Sequence, residues 1–208
     1  MTLVKICGLN APDAIAAATS ADFAGFVFYP PSPRAVAPAQ AAKLAGRLPR
    51  RVRRVALFVD PDDAALRATF IHLRPDIVQL HGKETPERVA AIKARTGKPV
   101  MKAFNVSAAS DIERGIAAYM TVADRLMFDA AEGTLPGGNA EVFDWAFLSG
   151  RKVPLPWMLA GGLRPDNVAE AVRVTGAPIV DVSSGVESSR GVKSIELIRA
   201  FLDRVKAL

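Results

Sequence analysis

The chain has 208 residues, half of them hydrophobic, with 27 Lys and Arg against 21 Asp and Glu for a formal net charge of +6. That length and apolar content suffice for a sizeable core and exclude a disordered chain, while the basic balance favours an anionic partner: a phosphorylated metabolite, nucleic acid or an acidic surface. One cysteine excludes an intrachain disulfide and a Cys-rich metal site. With no basic-then-apolar leader and no run of about 18 apolar residues, a cytoplasmic protein without a membrane span is expected.

In chain order, Leu3 to Ile6 reads as a first strand that ends at Cys7-Gly8, and Ala11-Pro12-Asp13 opens a helix behind it. Phe23 to Phe28 is a second strand, followed by the proline-flanked loop "YPPSPRAVAP". Five arginines between Arg47 and Arg54 precede a third strand, Val52 to Val59, and Asp60-Pro61-Asp62 then marks a helix start. Further strands are expected at Asp76 to Leu80, Pro99 to Phe104, Leu126 to Asp129, Trp157 to Ala160 and Ile179 to Val182. Thr85-Pro86-Glu87, Arg164-Pro165-Asp166 and Ser194 open helices in the intervals. Several of these strands are near-continuous apolar runs, the pattern of parallel strands covered by helices on the outside.

Eight strand-helix units without a linker or a composition break predict a single-domain (β/α)8 TIM barrel spanning residues 1–208. The competing arrangement is a doubly wound open sheet. Even spacing, polar and glycine-bearing segments after the strands, and the lack of a glycine fingerprint after the first strand favour closure.

A barrel carries its chemistry at strand C-terminal ends. Cys7, Arg34, Gln79, His81, Asp129, Gly161-Gly162 and Asp181 through Gly185 all fall there. Cys7 reads either as a small buried hydrophobe or as a nucleophile or base. Asp129 is a capping or ion-paired residue, or a working carboxyl beneath the long glycine-bearing segment that follows it. His81 is a structural histidine or a site residue. Arg34 is a solvated arginine or the anchor of a ligand carboxylate, for which a planar guanidinium fork is suited. Gly161-Gly162 and Ser183-Ser184-Gly185 end the last two strands, where glycines let backbone N–H groups converge on phosphate. Ordinary tight turns are the alternative. The arginine run precedes a strand and so lies at the opposite end, where, without interleaved aromatics, it reads as a solvated surface and no nucleic-acid partner is expected. Neither a metal-ligand spacing nor a P-loop is present, and no metal is expected.

Together, "KICGL", "GFVFYPPSPR", "VALFV", "VQLHG", "FDA" with "PGGNAEVFDW", "LAGGLRPDNV" and "VDVSSGVES" resemble the phosphoribosylanthranilate isomerases, from Lys5 to Ser188. The resemblance implies an Amadori rearrangement of N-(5-phosphoribosyl)anthranilate in tryptophan biosynthesis, with no metal or organic cofactor. It implies Cys7 as general base and Asp129 as general acid, Arg34 on the anthranilate carboxylate, and phosphate at Gly161-Gly162 and Ser183-Ser184-Gly185. His81 and Asp181 would line the pocket. The chain departs from the family at Asn139-Ala140-Glu141, where a small residue, a glycine and then a lysine are usual. A cysteine base must be partly thiolate, so a pKa lowered by nearby positive charge is expected. A related isomerase of histidine biosynthesis and a non-catalytic phosphate-binding barrel are the competing readings, and the outer helices do not distinguish a monomer from a homodimer.

Overall fold

The computed structural model describes residues 1–130 and 143–208. Eight parallel strands close into a barrel in the order β1 to β8: β1 (Leu3–Cys7), β2 (Phe23–Val27), β3 (Arg53–Phe58), β4 (Ile77–Leu80), β5 (Val100–Val106), β6 (Arg125–Ala130), β7 (Trp157–Leu159) and β8 (Ile179–Val182). β8 hydrogen-bonds back to β1, so no edge is left open. The open doubly wound sheet is thereby ruled out.

Helices α1 (Pro12–Ala17), α2 (Pro38–Ala45), α3 (Asp63–His72), α4 (Pro86–Thr96) and α5 (Ala109–Tyr119) alternate with the first six strands, and α6 (Val168–Thr175) and α7 (Ile195–Lys206) with the last two. Proline opens α1, α2 and α4, where a missing N–H costs nothing. Side-chain caps fix the start of three helices: Asp62 accepts from the Ala65 N–H, Thr85 from Arg88 and Ser194 from Leu197. Between β6 and β7 the described residues contain one 3₁₀ turn, Trp145–Leu148, in place of an α-helix.

Register is fixed at the N-terminal rim by three aspartates. Asp22, Asp76 and Asp124 immediately precede or lie one residue ahead of even-numbered strands, and each accepts a backbone N–H from the strand before, Val4, Arg54 and Val100 respectively, at 2.8–2.9 Å. Each also donates its own N–H to the carbonyl of that same residue. Pleating then sends alternate residues inward. Phe23, Val55, Ile77, Met101, Met127, Met158 and Ile179 fill the lower barrel as one buried cluster, and Cys7, Val27 and Leu57 form a second at the C-terminal end. The larger apolar layer lies between strands and helices.

One feature was absent from the expected elements. After β8 the chain makes an antiparallel ribbon, β9 (Glu187–Ser189) and β10 (Val192–Lys193), before entering α7. The arginine run lies ahead of and at the start of β3, as expected: Arg51 donates to the Thr19 and Ala21 carbonyls, and Arg53 sits over the Phe23 ring at 5.5 Å.

Candidate active site

At the C-terminal end of the barrel the strand tips form a pocket that opens to solvent at its mouth. Cys7, Arg34, His81, Asp129, Gly161, Gly162, Asp181, Ser183 and Ser184 all line it. Gly185 does not. A Cβ at Gly185 would stand 1.8 Å from the Leu163 carbonyl oxygen, so this glycine lets the strand-eight loop close on the strand-seven loop. Asn139-Ala140-Glu141 lies outside the described residues.

The floor is built by register. Lys5 and Asp181 are cross-strand partners on β1 and β8, both inward, and Lys5 Nζ donates to Asp181 Oδ1 at 2.9 Å. Cys7 faces the same way two residues after Lys5, opposite Gly25 of β2. A Cβ on Gly25 would come within 2.9 Å of Cys7 Sγ and 3.2 Å of Lys5 Cε, so glycine there makes room for both groups.

Burial dominates the electrostatics of this floor. Burial pushes the Cys7 thiol above its ordinary range; Lys5 and Lys193 pull it down, Asp181 pushes it further up, and the net direction is upward. The sequence led to the opposite expectation, a thiol lowered by positive charge. The charges are in place, but desolvation outweighs them. Burial also raises the Asp181 carboxyl against the pull of Lys5. Lys5 loses to burial but gains more from Asp181 and Cys7, and its ammonium is held above the ordinary range.

Asp129 stands on β6, with Oδ1 accepting the Ala130 N–H at 2.8 Å. His81 Nε2 lies 3.1 Å from Asp129 Oδ2 but is not aligned on it, so this buried nitrogen has no hydrogen-bond partner among the described residues. The other ring nitrogen, Nδ1, accepts from Gln79 Nε2 at 3.1 Å. Among the described residues an Nε2–H beside the Asp129 carboxyl is therefore open to a ligand at the pocket wall.

Gly161 and Gly162 have φ values of +87° and +61°, left-handed backbone that other residues adopt only with strain. A Cβ at Gly161 would also meet the Ala130 nitrogen at 2.5 Å. Across from them, the 3₁₀ turn Ser184–Val186 follows β8, and the Ser183 hydroxyl donates to the Cys7 carbonyl at 3.3 Å.

Arg34 is buried rather than solvated, and its fork is already engaged. Nε and Nη2 donate to the two carboxylate oxygens of Glu187 at 2.7 and 2.9 Å. Lys193 donates to Glu187 Oε1 at 2.8 Å and to the Ser183 carbonyl at 2.9 Å. Although burial alone would raise it, Arg34 and Lys193 hold the Glu187 carboxyl at a pKa of about 2.

Lys5, Glu187 and Lys193 were not singled out from the sequence. Lys5 had a signal: a charge inside an apolar strand, two residues from Cys7 and so on the same face. For Glu187 and Lys193 the signal was weaker, an Arg190-Gly191 turn between two short polar segments.

Fold and site together define a (β/α)8 barrel with a glycine-bearing rim, a buried thiol and a buried carboxyl in one pocket. Residues 4–204 match the family model for N-(5'phosphoribosyl)anthranilate (PRA) isomerase. The N-(5'-phosphoribosyl)anthranilate isomerase of Paramagnetospirillum magneticum is 56% identical over 204 residues, covering 96% of this chain and 94% of the relative. The crystal structure of phosphoribosyl anthranilate isomerase from Thermotoga maritima covers 100% of both chains with a TM-score of 0.87 at 33% identity. Another phosphoribosyl anthranilate isomerase structure, in complex with reduced 1-(o-carboxyphenylamino)-1-deoxyribulose 5-phosphate, covers 100% of both chains with a TM-score of 0.82 at 32% identity. The chain belongs to the N-(5'-phosphoribosyl)anthranilate isomerase family.

Proposed function

We propose that residues 1–208 act as one barrel domain that isomerises N-(5-phosphoribosyl)anthranilate to 1-(2-carboxyphenylamino)-1-deoxy-D-ribulose 5-phosphate, an aldose-to-ketose step of tryptophan biosynthesis. The observation that carries this reading is a single pocket holding the Cys7 thiol from β1 and the Asp129 carboxyl from β6 beside the loops of β7 and β8. The substrate is a phosphorylated small molecule, and nucleic acid has no part in the reading. A buried thiol that must stay reduced fits the cytoplasm, and the chain would work as a monomer or a homodimer.

Phosphate is held at the rim by backbone N–H groups near Gly161-Gly162 and Ser183-Ser184, with Arg34 on the aryl carboxylate. Asp129, protonated, gives its proton to the furanose oxygen, and the C1–O bond breaks as the anthranilate nitrogen lone pair forms a C=N bond. Cys7 thiolate then takes the proton from C2, the electron pair moves toward nitrogen, and an enolamine results. Its tautomerisation gives the aminoketone, with no atom gained or lost overall. Lys5 is the cation that stabilises the thiolate, and His81 Nε2–H and Asp181 face the sugar.

Loss of phosphoribosylanthranilate fluorescence on adding purified protein tests the activity, and saturable binding without product would leave only a binding module. With deuterium at C2 of the sugar, Cys7→Ala is expected to stop wash-out and Asp129→Asn to stall before it, each lowering turnover by about 10² or more. Undiminished wash-out in Cys7→Ala would move the base role to Asp181, the other buried group whose carboxyl is pushed upward.

A further inference from the structure

The guanidinium proposed to hold the aryl carboxylate is itself held from behind. Three segments converge on Arg34. Its stem passes Gly8 so closely that a Cβ there would stand 2.7 Å from Arg34 Cδ. Its own backbone N–H is 3.2 Å from the Ser32 hydroxyl oxygen. Its Nε and Nη2 are gripped by both oxygens of Glu187, which stands at the start of β9.

Glu187 is in turn fixed at two points besides Arg34, and one of those is itself tied down. Lys193 of β10 donates to Oε1, the Gly191 N–H donates to Oε2 at 3.0 Å, and Asn10 Nδ2 ties the Gly191 carbonyl to the β1 loop at 3.1 Å. A Cβ on Gly191 would lie 2.9 Å from the Pro33 carbonyl oxygen, so the ribbon turn rests on the residue next to Arg34. Both oxygens of the carboxylate are used, and both partners are themselves anchored. What Glu187 leaves of Arg34 is the Nη1 side of the fork.

We propose that Glu187 is a positioning residue for substrate recognition: it holds Arg34 by the Nε edge so that the opposite, Nη1 edge is presented to the aryl carboxylate of the substrate. This rests on the reading of Arg34 as the carboxylate anchor. It gives the β9–β10 ribbon a task, since the ribbon carries Glu187 and Lys193 and the turn that braces them. A guanidinium with several rotatable bonds loses rotamer freedom when it grips a ligand, and an anchored one has already lost it.

Charge counting and positioning make opposite forecasts for Glu187→Gln. With Arg34 and Lys193 positive and Glu187 negative, the cluster carries a net +1, and the substitution raises it to +2. If Glu187 acted only through its charge, removing it would strengthen the binding of any anion. If it positions Arg34, the aryl carboxylate is held less well although the positive charge has grown.

Two probes separate the ends of the site: reduced 1-(o-carboxyphenylamino)-1-deoxyribulose 5-phosphate, which has both the aryl carboxylate and the phosphate, and ribose 5-phosphate, which has only the phosphate end. Glu187→Gln is expected to weaken the first about tenfold or more, the scale of a hydrogen bond to a charged group, and to leave the second within about twofold. Glu187→Asp, with the charge kept and the reach shortened, falls between. Equal weakening of both probes would reduce Glu187 to a structural brace, and unchanged or tighter binding of the reduced product analogue would overturn the proposal outright. Arg34→Lys, measured alongside, tests the underlying reading by itself: full affinity there removes Arg34 from the carboxylate, whereas a loss there without a loss in Glu187→Gln refutes only the positioning. Should Glu187→Gln fail to fold, Glu187→Asp carries the same comparison, with selective loss of the aryl-bearing probe expected and equal loss against it.

Discussion

Lys102 and Lys5 are both buried lysines on barrel strands, and each has a carboxylate oxygen 2.9 Å from Nζ. Lys102 points outward from β5 and is fully subscribed: it donates to Glu84 Oε2, to the Gly82 carbonyl at 2.7 Å and to the Ala103 carbonyl at 2.8 Å, with the Tyr119 ring 5.5 Å away. Glu84 is equally occupied, accepting the Asp60 N–H at 2.9 Å and the Gly82 N–H at 3.0 Å. Lys5 points inward and, among the described residues, donates to Asp181, with the Cys7 thiol as its other neighbour. A closed network of this kind fixes a loop, whereas an open one leaves charge that a bound molecule or a transferred proton can use. The two lysines differ in how many acceptors they hold and not in the distance to their carboxylates.

The largest expected effect falls on the closed pair. Lys102→Met leaves Glu84 buried without its cation, and unfolding experiments should show a loss of about 3–5 kcal/mol, the scale for breaking a buried ion pair. Adding Glu84→Leu should recover only part of it, because the Asp60 and Gly82 N–H groups then lose their acceptor. Folded Lys102→Met protein should keep its affinity for ribose 5-phosphate. A catalytic loss without a stability loss would reverse the assignment of roles.

Lys5→Met probes the open pair, and the effect should appear in chemistry before stability. Burial already holds the Cys7 thiol high, so in the unsubstituted protein the ultraviolet absorbance of the thiolate should appear only above about pH 8.5, the value of a free cysteine. Lys5 opposes that rise, so Lys5→Met should move the titration to still higher pH and lower turnover at neutral pH. Asp181, with its carboxyl pushed upward, can take up a proton when its cation is removed, which softens the stability cost. An unmoved thiolate titration would show that Lys5 does not act on Cys7.

The same contrast explains how much could be read from the sequence. Apolar runs bounded by Pro- and Asp-bearing helix starts marked all eight strands, because a parallel barrel strand is buried on both faces and must be apolar nearly throughout. Strand tips were therefore legible, and with them Cys7, His81, Asp129 and Asp181. What stayed hidden were partnerships. Nothing in "LVKIC" or "IVDV" says that Lys5 and Asp181 are register partners, since barrel closure joins the first strand to the eighth, 176 residues apart. The grip of Glu187 on Arg34 spans 153 residues and depends on a ribbon whose strands, three and two residues long, are too short and polar to announce themselves. The raised Cys7 thiol was also out of reach, because neighbouring charge is visible in a sequence and desolvation is not.

A last expected effect lies in the acid limb of stability, and it ties the Arg34 cluster to the closed kind of network. Glu187 has a folded-state pKa of about 2, below the ordinary 4.5 of a glutamate, so it is the depressed case. A depressed carboxyl contributes stability that is fully present above its unfolded pKa and is lost as pH falls through the folded one. Between about pH 4.5 and 2, the unfolded chain takes up a proton that the folded protein refuses, and folding weakens over that window. Glu187→Gln removes the titration, so the substituted protein should be less stable at neutral pH yet lose less on acidification. Denaturant unfolding at several pH values from 2 to 7 measures both curves, and their difference should shrink toward the acid end. Parallel curves would mean that Arg34 and Lys193 do not hold Glu187 ionised, and the grip on which the presentation of Arg34 depends would be looser than the 2.7 and 2.9 Å contacts imply.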